Sequence, residues 1–379
     1  MPWQHEPWWF LLGLVLLIGI RFFYLGPEID DPHSWRQCDT AHYAWDFYQN
    51  GIDLMEPSVC WMGGHETVIF EFPLPEAVMA VLYKIFGPHL VVARLFILLC
   101  FLVGLRYFFL VLRMLVNGTH ARMATLFYLL SPLGVFYSRA IHVDFFALML
   151  VHGMLYHYMV GIRRSALQHI LIGSGAATVG LMVKAPYFLP LAFPLMGWVL
   201  RHGKFRFCLR NLHWFLLPVG IFWLWQSHVY AVNGAAPDWD FIPTYRKFDD
   251  NSHWYFGNME MRKVWVNWLI LKARFQYEVM GGMFWMVLCL VGLGLSWQRF
   301  GHNFMRLWVL GTLVYVAVFF NVNVIHDYYQ LPLLAPAAFF LAYPAIWVHD
   351  RLKMVVGKWA QTVLVAVLVL AGANTYRLL

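Results

Sequence analysis

The sequence predicts an all-α polytopic membrane protein with about eleven transmembrane helices. Hydrophobic residues make up 61% of the chain and charged residues only 12%, against about 25% charged in soluble domains. Apolar runs of spanning length recur from one end of the chain to the other. Nineteen tryptophans and nineteen tyrosines suit aromatic belts at two membrane interfaces. The formal charge of +7 is no nucleic-acid signal, because the basic residues sit between apolar runs rather than along one face.

In chain order, the expected spans are 7–25, 89–115, 121–137, 143–161, 166–183, 186–200, 212–231, 281–297, 305–322, 331–348 and 359–377. Each is a run of apolar residues approaching or exceeding the length that crosses a bilayer. The run from Pro7 to Tyr24 is followed by an acidic segment rather than a small-residue cleavage site, so it reads as the first span. Residues 73–87 are apolar but too short to cross, and read as an interfacial or re-entrant helix. The whole of 1–379 is then one transmembrane domain, with a first large loop, 26–88, that carries interfacial helices, and a second, 232–280.

Alternate connections differ in basic residues. One set holds Arg113 and Arg122; Arg163 and Arg164; Arg201, Lys204, Arg206 and Arg210; Arg299 and Arg306; and Arg351, Lys353 and Lys358. The opposite short connections hold little beyond Arg139 and Lys184. The positive-inside rule puts the first set in the cytoplasm and both large loops outside. Asp39, Glu71, Arg139, Asp144, Lys184 and His326 then all fall at or near external ends of spans.

These residues carry the candidate chemistry. The polar segment Glu28 to Ala44 contains Asp30, Asp31, Arg36 and Asp39. Helical spacing puts Asp39, His42 and Tyr43 on one face. A carboxylate there can deprotonate a hydroxyl or amine nucleophile, or Asp39 can simply cap a helix over 40–49. Glu71, between two phenylalanines and before Pro73, is expensive unless it meets a cation or a substrate. In Ser138-Arg-Ala-Ile-His-Val-Asp144, Arg139 offers a rigid fork suited to phosphate, and Asp144 can orient it. Lys184, in Met-Val-Lys-Ala-Pro-Tyr, either meets the substrate or snorkels to the interface. His326, Asp327, Tyr328 and Gln330 bring several hydrogen-bonding groups to one loop, able to bind phosphate, sugar or a divalent ion.

Five cysteines show no metal-ligand spacing. Cys38 and Cys60 share the first polar loop and can pair in an oxidising compartment. The chain has no G-x-x-x-x-G-K-[ST], H-E-x-x-H or G-x-S-x-G motif. Charges in mid-span are scarce, which weighs against an ion-coupled transporter.

Taken in order, these motifs resemble membrane glycosyltransferases of the GT-C fold, specifically glycosyltransferase family 39, which includes protein O-mannosyltransferases and the lipid A aminoarabinose transferase. Asp39-Thr-Ala-His-Tyr-Ala44 resembles the family's acidic motif in the first external loop, and Phe70-Glu-Phe-Pro73 its second acidic motif. Ser138 to Asp144 resembles its Ser-Arg segment, Val183-Lys-Ala-Pro186 its lysine turn, and His326 to Pro332 its histidine- and tyrosine-bearing loop. Thr40 stands where the family has a second acid, so that acid's role must be dropped or moved to Asp30 or Asp31. In the loop 232–280, Trp239, Trp254, Tyr255 and Trp265 can stack on sugar rings.

The resemblance implies transfer of a sugar from a polyprenyl-phosphate donor to a glycan, lipid or protein acceptor outside the cell membrane. Asp39 and Glu71 are then the catalytic residues, with Asp39 the general base. Arg36, Arg139, Asp144, Lys184, His326, Tyr328 and Gln330 form the substrate-binding set. A single base with direct displacement implies inversion at the anomeric centre. No cofactor is implied, and the resemblance leans towards metal independence. The alternatives are a polymerase or ligase that moves lipid-linked glycans, a lipid-linked-sugar flippase or transporter, and a non-catalytic assembly partner.

Overall fold

The computed structural model describes residues 6–23, 25–26, 28–29, 32–60, 66–236, 248, 250–296, 301–363, 366–367 and 370–371. Asp30, Asp31, Trp239 and Arg299, singled out above, lie outside the described residues.

Among the described residues the regular structure is helical but for one two-residue antiparallel pair, β1 (Ser58–Val59) and β2 (Glu66–Thr67). The helices are α1 (Trp8–Gly19), α2 (Ser34–Asn50), α3 (Leu74–Phe86), α4 (Leu90–Leu115), α5 (Gly118–Leu130), α6 (Pro132–Tyr137), α7 (Asp144–Arg164), α8 (Leu167–Lys184) and α9 (Ala192–His202). They continue with α10 (Phe205–Arg210), α11 (Leu212–Gly234), α12 (Ser252–Phe256), α13 (Met259–Lys263), α14 (Trp265–Ala273), α15 (Met283–Leu295), α16 (Gly301–Val318), α17 (Phe320–Ile325) and α18 (Leu334–Val356).

Each expected span from 7–25 to 331–348 coincides with helix. Among the described residues, and by length and composition alone, five segments can cross a membrane unaided: Leu90–Leu115, Asp144–Arg164, Leu167–His202, Leu212–Gly234 and Asp327–Val356. The others are shortened or broken for local reasons. Pro132 cannot continue α5, so the run splits at Ser131, whose hydroxyl accepts from Gly134 N at 3.4 Å. Gly281 and Gly282, both at positive φ, bend Trp265–Val279 by 95° against Met283–Leu295. Among its described residues, the expected loop 232–280 therefore contains four short helical pieces between the end of α11 and that bend.

Leu167–His202 is not one straight helix: it doubles back. Lys184 has φ −154° and ψ 68°, outside helical geometry, and a 3-10 turn over Ala185–Leu191 follows. Lys184 meets Asp144 at the start of α7, whereas Trp198 Nε1 donates to Met159 O near its end. The two arms, α8 and α9, thus run in opposite directions along α7.

α7 is the centre of the bundle. It packs between α4 and α8, α11 lies outside α8, and α18 packs on α5 and α15. The most apolar stretch of α7 is 78% buried and that of α11 only 17%, so α11 presents most of its surface to lipid. Two close approaches need glycine. A Cβ on Gly292 would lie 1.9 Å from Phe340 O, and one on Gly311 would lie 2.1 Å from Pro190 O. Small residues that let helices touch backbone to backbone are a recurrent solution within membranes.

Two features position the polar chemistry. α2 begins at Ser34, not at 40, so Asp39 sits on the second turn of that helix and does not cap it. α3 has 13 residues, short of a span, and packs on α2.

Candidate active site

The polar residues converge at one end of the bundle, where α7 starts and α8 ends. α2 delivers Arg36 and Asp39 along one face, the link between β2 and α3 delivers Glu71, and α8 finishes with Lys184. The link is tied to α8 by Phe72 N, which donates to Met182 O at 3.2 Å.

The geometry is a chain of alternating charge. Arg36 pairs with Glu71 through Nη2 and approaches Asp39 Oδ2 with Nη1 at 3.7 Å, an ion-pair distance too long for a hydrogen bond. That Nη1 is buried and has no hydrogen-bond partner. Lys184 Nζ lies 3.6 Å from Glu71 Oε1 and 3.3 Å from Asp144 Oδ1. Asp144, 0% exposed, also meets His142 and the Tyr187 hydroxyl. Burial alone would lower the Arg36 pKa, but Glu71 and Asp39 raise it above its ordinary value, so the guanidinium stays charged. Aromatic faces surround both cations: Arg36 lies 4.7 Å from the Phe70 ring centre, and Lys184 lies 4.7 Å from that of Tyr328 and 4.9 Å from that of Tyr329.

A second cluster meets the first at Tyr328. Tyr137 donates its hydroxyl to Asp327 Oδ1 at 2.6 Å, and His33 Nε2 sits 3.2 Å from the same oxygen. His33 holds a left-handed backbone, φ 54°, at the start of α2, a conformation that costs energy in a non-glycine residue. The His326 ring stacks on Tyr328 at 5.0 Å and lies within 6 Å of His33, Trp35 and Trp254. Burial lowers its pKa to about 3, so it is a neutral imidazole. Gln330 is 1% exposed and gives its amide to Asn323 Oδ1 at 2.8 Å.

Two cavities open at the first cluster. The larger, about 440 Å³, is walled by apolar side chains of α8 and α11, with Glu71 and Lys184 among its few charged groups. The smaller, about 390 Å³, is lined by Trp35, Cys38, Asp39, Cys60, Phe70 and Phe248. Phe70 is the residue common to both. Cys38 and Cys60 are free and exposed. Tyr255 lines the larger cavity, and Trp265 is exposed away from both. Among the described residues, no group of three or more His, Cys, Asp or Glu converges as a metal site.

Sequence reasoning singled out Arg36, Asp39, Glu71, Asp144 and Lys184, and these stand together. Arg139 is buried with Phe136 under its guanidinium and Arg94 on its carbonyl, and it lines neither cavity. Asp144 is oriented by Lys184, His142 and Tyr187, where the sequence suggested Arg139. His33, His142 and Tyr187 were not anticipated. Nor was Arg21, which is fully buried and donates to Ser138 Oγ at 2.8 Å. An arginine inside an apolar run always needs a partner, and that signal was present at position 21.

Residues 71–230, less than half of the chain, match the family model of dolichyl-phosphate-mannose-protein mannosyltransferases. The structure is similar to ArnT from Cupriavidus metallidurans bound to undecaprenyl phosphate, with TM-score 0.66 and 14% identity over 97% of this chain and 75% of that one. The apo state of the same protein gives TM-score 0.64 at 16% identity, with the same coverage. The fold is the GT-C fold. The Archaeoglobus fulgidus oligosaccharyltransferase tethered to an acceptor peptide aligns with all of this chain and 55% of its own, at TM-score 0.52 and 12% identity. None of the curated proteins matches the chain by sequence. The GT-C fold and its many apolar helices make the chain a multi-pass membrane protein, as the composition predicted.

Proposed function

We propose that this protein transfers a sugar from a polyprenyl-phosphate donor to an acceptor, with Asp39 as general base. The observation that carries the reading is the division of labour at Phe70, with one carboxylate in each of two adjoining cavities and Arg36 between them. The family-model match and the likeness to ArnT support glycosyl transfer from a lipid-linked donor.

In this reading the larger, apolar cavity takes the lipid end of the donor, and its phosphate sits against Lys184, with Arg36 adding positive charge from behind Glu71. Arg139, outside both cavities, adds positive charge to the same end of the bundle. The acceptor enters beside Asp39. Its hydroxyl or amine gives a proton to the Asp39 carboxylate as its lone pair attacks the anomeric carbon, and the bond from that carbon to the phosphate oxygen breaks. Polyprenyl phosphate leaves as an anion that the cations stabilise. Glu71 and Asp144 hold Arg36 and Lys184 in place, Tyr328 forms the aromatic floor under Lys184, and His326 and Gln330 support that floor. In this reading the reaction takes place on the external face, which the basic connections at the opposite end support.

Asp39→Asn tests the assignment. It keeps the shape and removes the basicity, so transfer should fall on the order of a hundredfold to ten-thousandfold while donor binding and folding persist. In sealed vesicles of either orientation, the acceptor consumed should be the one supplied opposite the Arg163–Arg164 connection. A folded, donor-binding variant with near-parental transfer would move the base to another carboxylate.

A further inference from the structure

The position of Phe70 has a consequence for water, which competes with the acceptor at every glycosyl transfer. We infer that the Phe70 ring is the partition that keeps the donor's anomeric carbon out of reach of the Asp39 cavity until an acceptor fills it. This rests on the transferase reading and adds a specificity-determining residue to it.

Phe70 lines the cavity that holds Glu71 and Lys184 and also the one that holds Asp39. Its ring is fixed on several sides. The Arg36 guanidinium lies 4.7 Å from its centre, Phe248 meets it edge-on at 5.2 Å, and Tyr43 stacks at 6.1 Å. The Arg36 contact holds the ring from the charged cluster, and Phe248, which lines the smaller cavity only, holds it from the acceptor side. An aromatic ring between base and anomeric carbon stops direct attack by anything in the smaller cavity. The reaction therefore requires the ring to turn aside.

The natural trigger is the acceptor. A molecule seated among Trp35, Phe70 and Phe248 competes with Phe248 for the Phe70 face, whereas a water molecule is too small to displace a packed ring. Without the partition, water in the Asp39 cavity would give its proton to Asp39 and its oxygen to the anomeric carbon. The bond from that carbon to the phosphate oxygen would break, releasing free sugar and polyprenyl phosphate. Exclusion of water from a reactive centre is a general reason for closing an active site.

The experiment uses the purified full chain and polyprenyl phosphate carrying mannose, then other hexoses and pentoses, with and without acceptor. Free sugar and transferred sugar are counted separately. The partition predicts that Phe70→Ala raises the ratio of hydrolysis to transfer by roughly tenfold or more. Phe70→Tyr, which keeps the ring, should keep the parental ratio of hydrolysis to transfer. Phe70→Leu, which keeps bulk without the flat ring, should fall between them and covers the case in which Phe70→Ala does not fold. A parent that transfers sugar, with Phe70→Ala or Phe70→Leu at the parental ratio, would overturn the partition and leave the transferase reading standing. A parent that consumes no donor of the set would overturn both.

Discussion

Two polar clusters meet at Tyr328 and differ in almost everything except composition. The cluster of Arg36, Glu71, Lys184 and Asp144 is a run of full charges in which each cation is bracketed by two carboxylates, and it faces a cavity. The cluster of His33, Asp327, Tyr137 and His326 has a single hydrogen-bonded carboxylate and a ring-on-ring pack, with His326 neutral and 5% exposed. None of its members lines either cavity at Phe70. The lesson is that richness in polar groups does not mark a site. What separates the first cluster, in the proposed reading, is compensated charge next to open volume.

The largest expected effect that can break this contrast is at Lys184. Lys184→Met leaves Asp144 without its lysine and Glu71 with Arg36 alone, and removing one partner of a buried pair typically costs about 3–5 kcal/mol. The melting temperature should drop sharply and donor binding should vanish. Adding Asp144→Asn should recover much of the stability and none of the binding. If the double variant bound polyprenyl phosphate like the parent, Lys184 would be a structural residue and the contrast would collapse.

A smaller effect is expected in the second cluster. Asp327→Asn keeps one acceptor oxygen but weakens the contacts to Tyr137 and His33, at a cost of about 1–3 kcal/mol. Thermal unfolding should report the loss while the affinity for polyprenyl phosphate stays close to parental. A large loss of donor affinity without loss of stability would mean that this cluster, too, touches substrate.

The smallest effect sharpens what compensation means. Glu76, on α3 beside the charged cluster, is 3% exposed and its Oε2 has no hydrogen-bond partner. Burial pushes its carboxyl up to about 8 from an ordinary 4.5. A raised carboxyl favours the folded state while protonated, so its contribution is complete below pH 4.5 and is lost as pH rises through about 8. Glu76→Gln should be near-neutral for stability below that window and should flatten the decline in melting temperature across it. An unchanged slope would show that Glu76 finds a partner in solution.

Much of this was legible in the sequence, for a local reason. Composition and run length decide membrane helices, because a backbone in lipid must satisfy its own hydrogen bonds. Glu71 stood out because a carboxylate between two phenylalanines needs a reason to be there. What stayed hidden was pairing at a distance. Arg36 and Glu71 are 35 residues apart and Asp144 and Tyr187 are 43 apart, and no periodicity connects them. The start of α2 was misplaced because His33 enters the helix through a left-handed backbone without a side-chain cap, so the residue immediately before Ser34 is not one of the usual capping types. The loop from His326 to Gln330 was read as a set of groups able to bind a ligand, and its polar groups face inward, where the 3-10 turn over Asp327–Leu333 buries them.

The contact between Gly311 and Pro190 reaches further than its size suggests. Pro190 belongs to the short turn whose first residue follows Lys184, and α16 presses on that turn with no side chain between the two backbones. The clearance at this crossing acts as a set screw for the ammonium group. Shimming it by a single methyl pushes the turn, and with it the cation, relative to the start of α7. In the proposed reading, the alignment of Lys184 at one end of the bundle is therefore under mechanical control from a helix that contributes nothing to the chemistry.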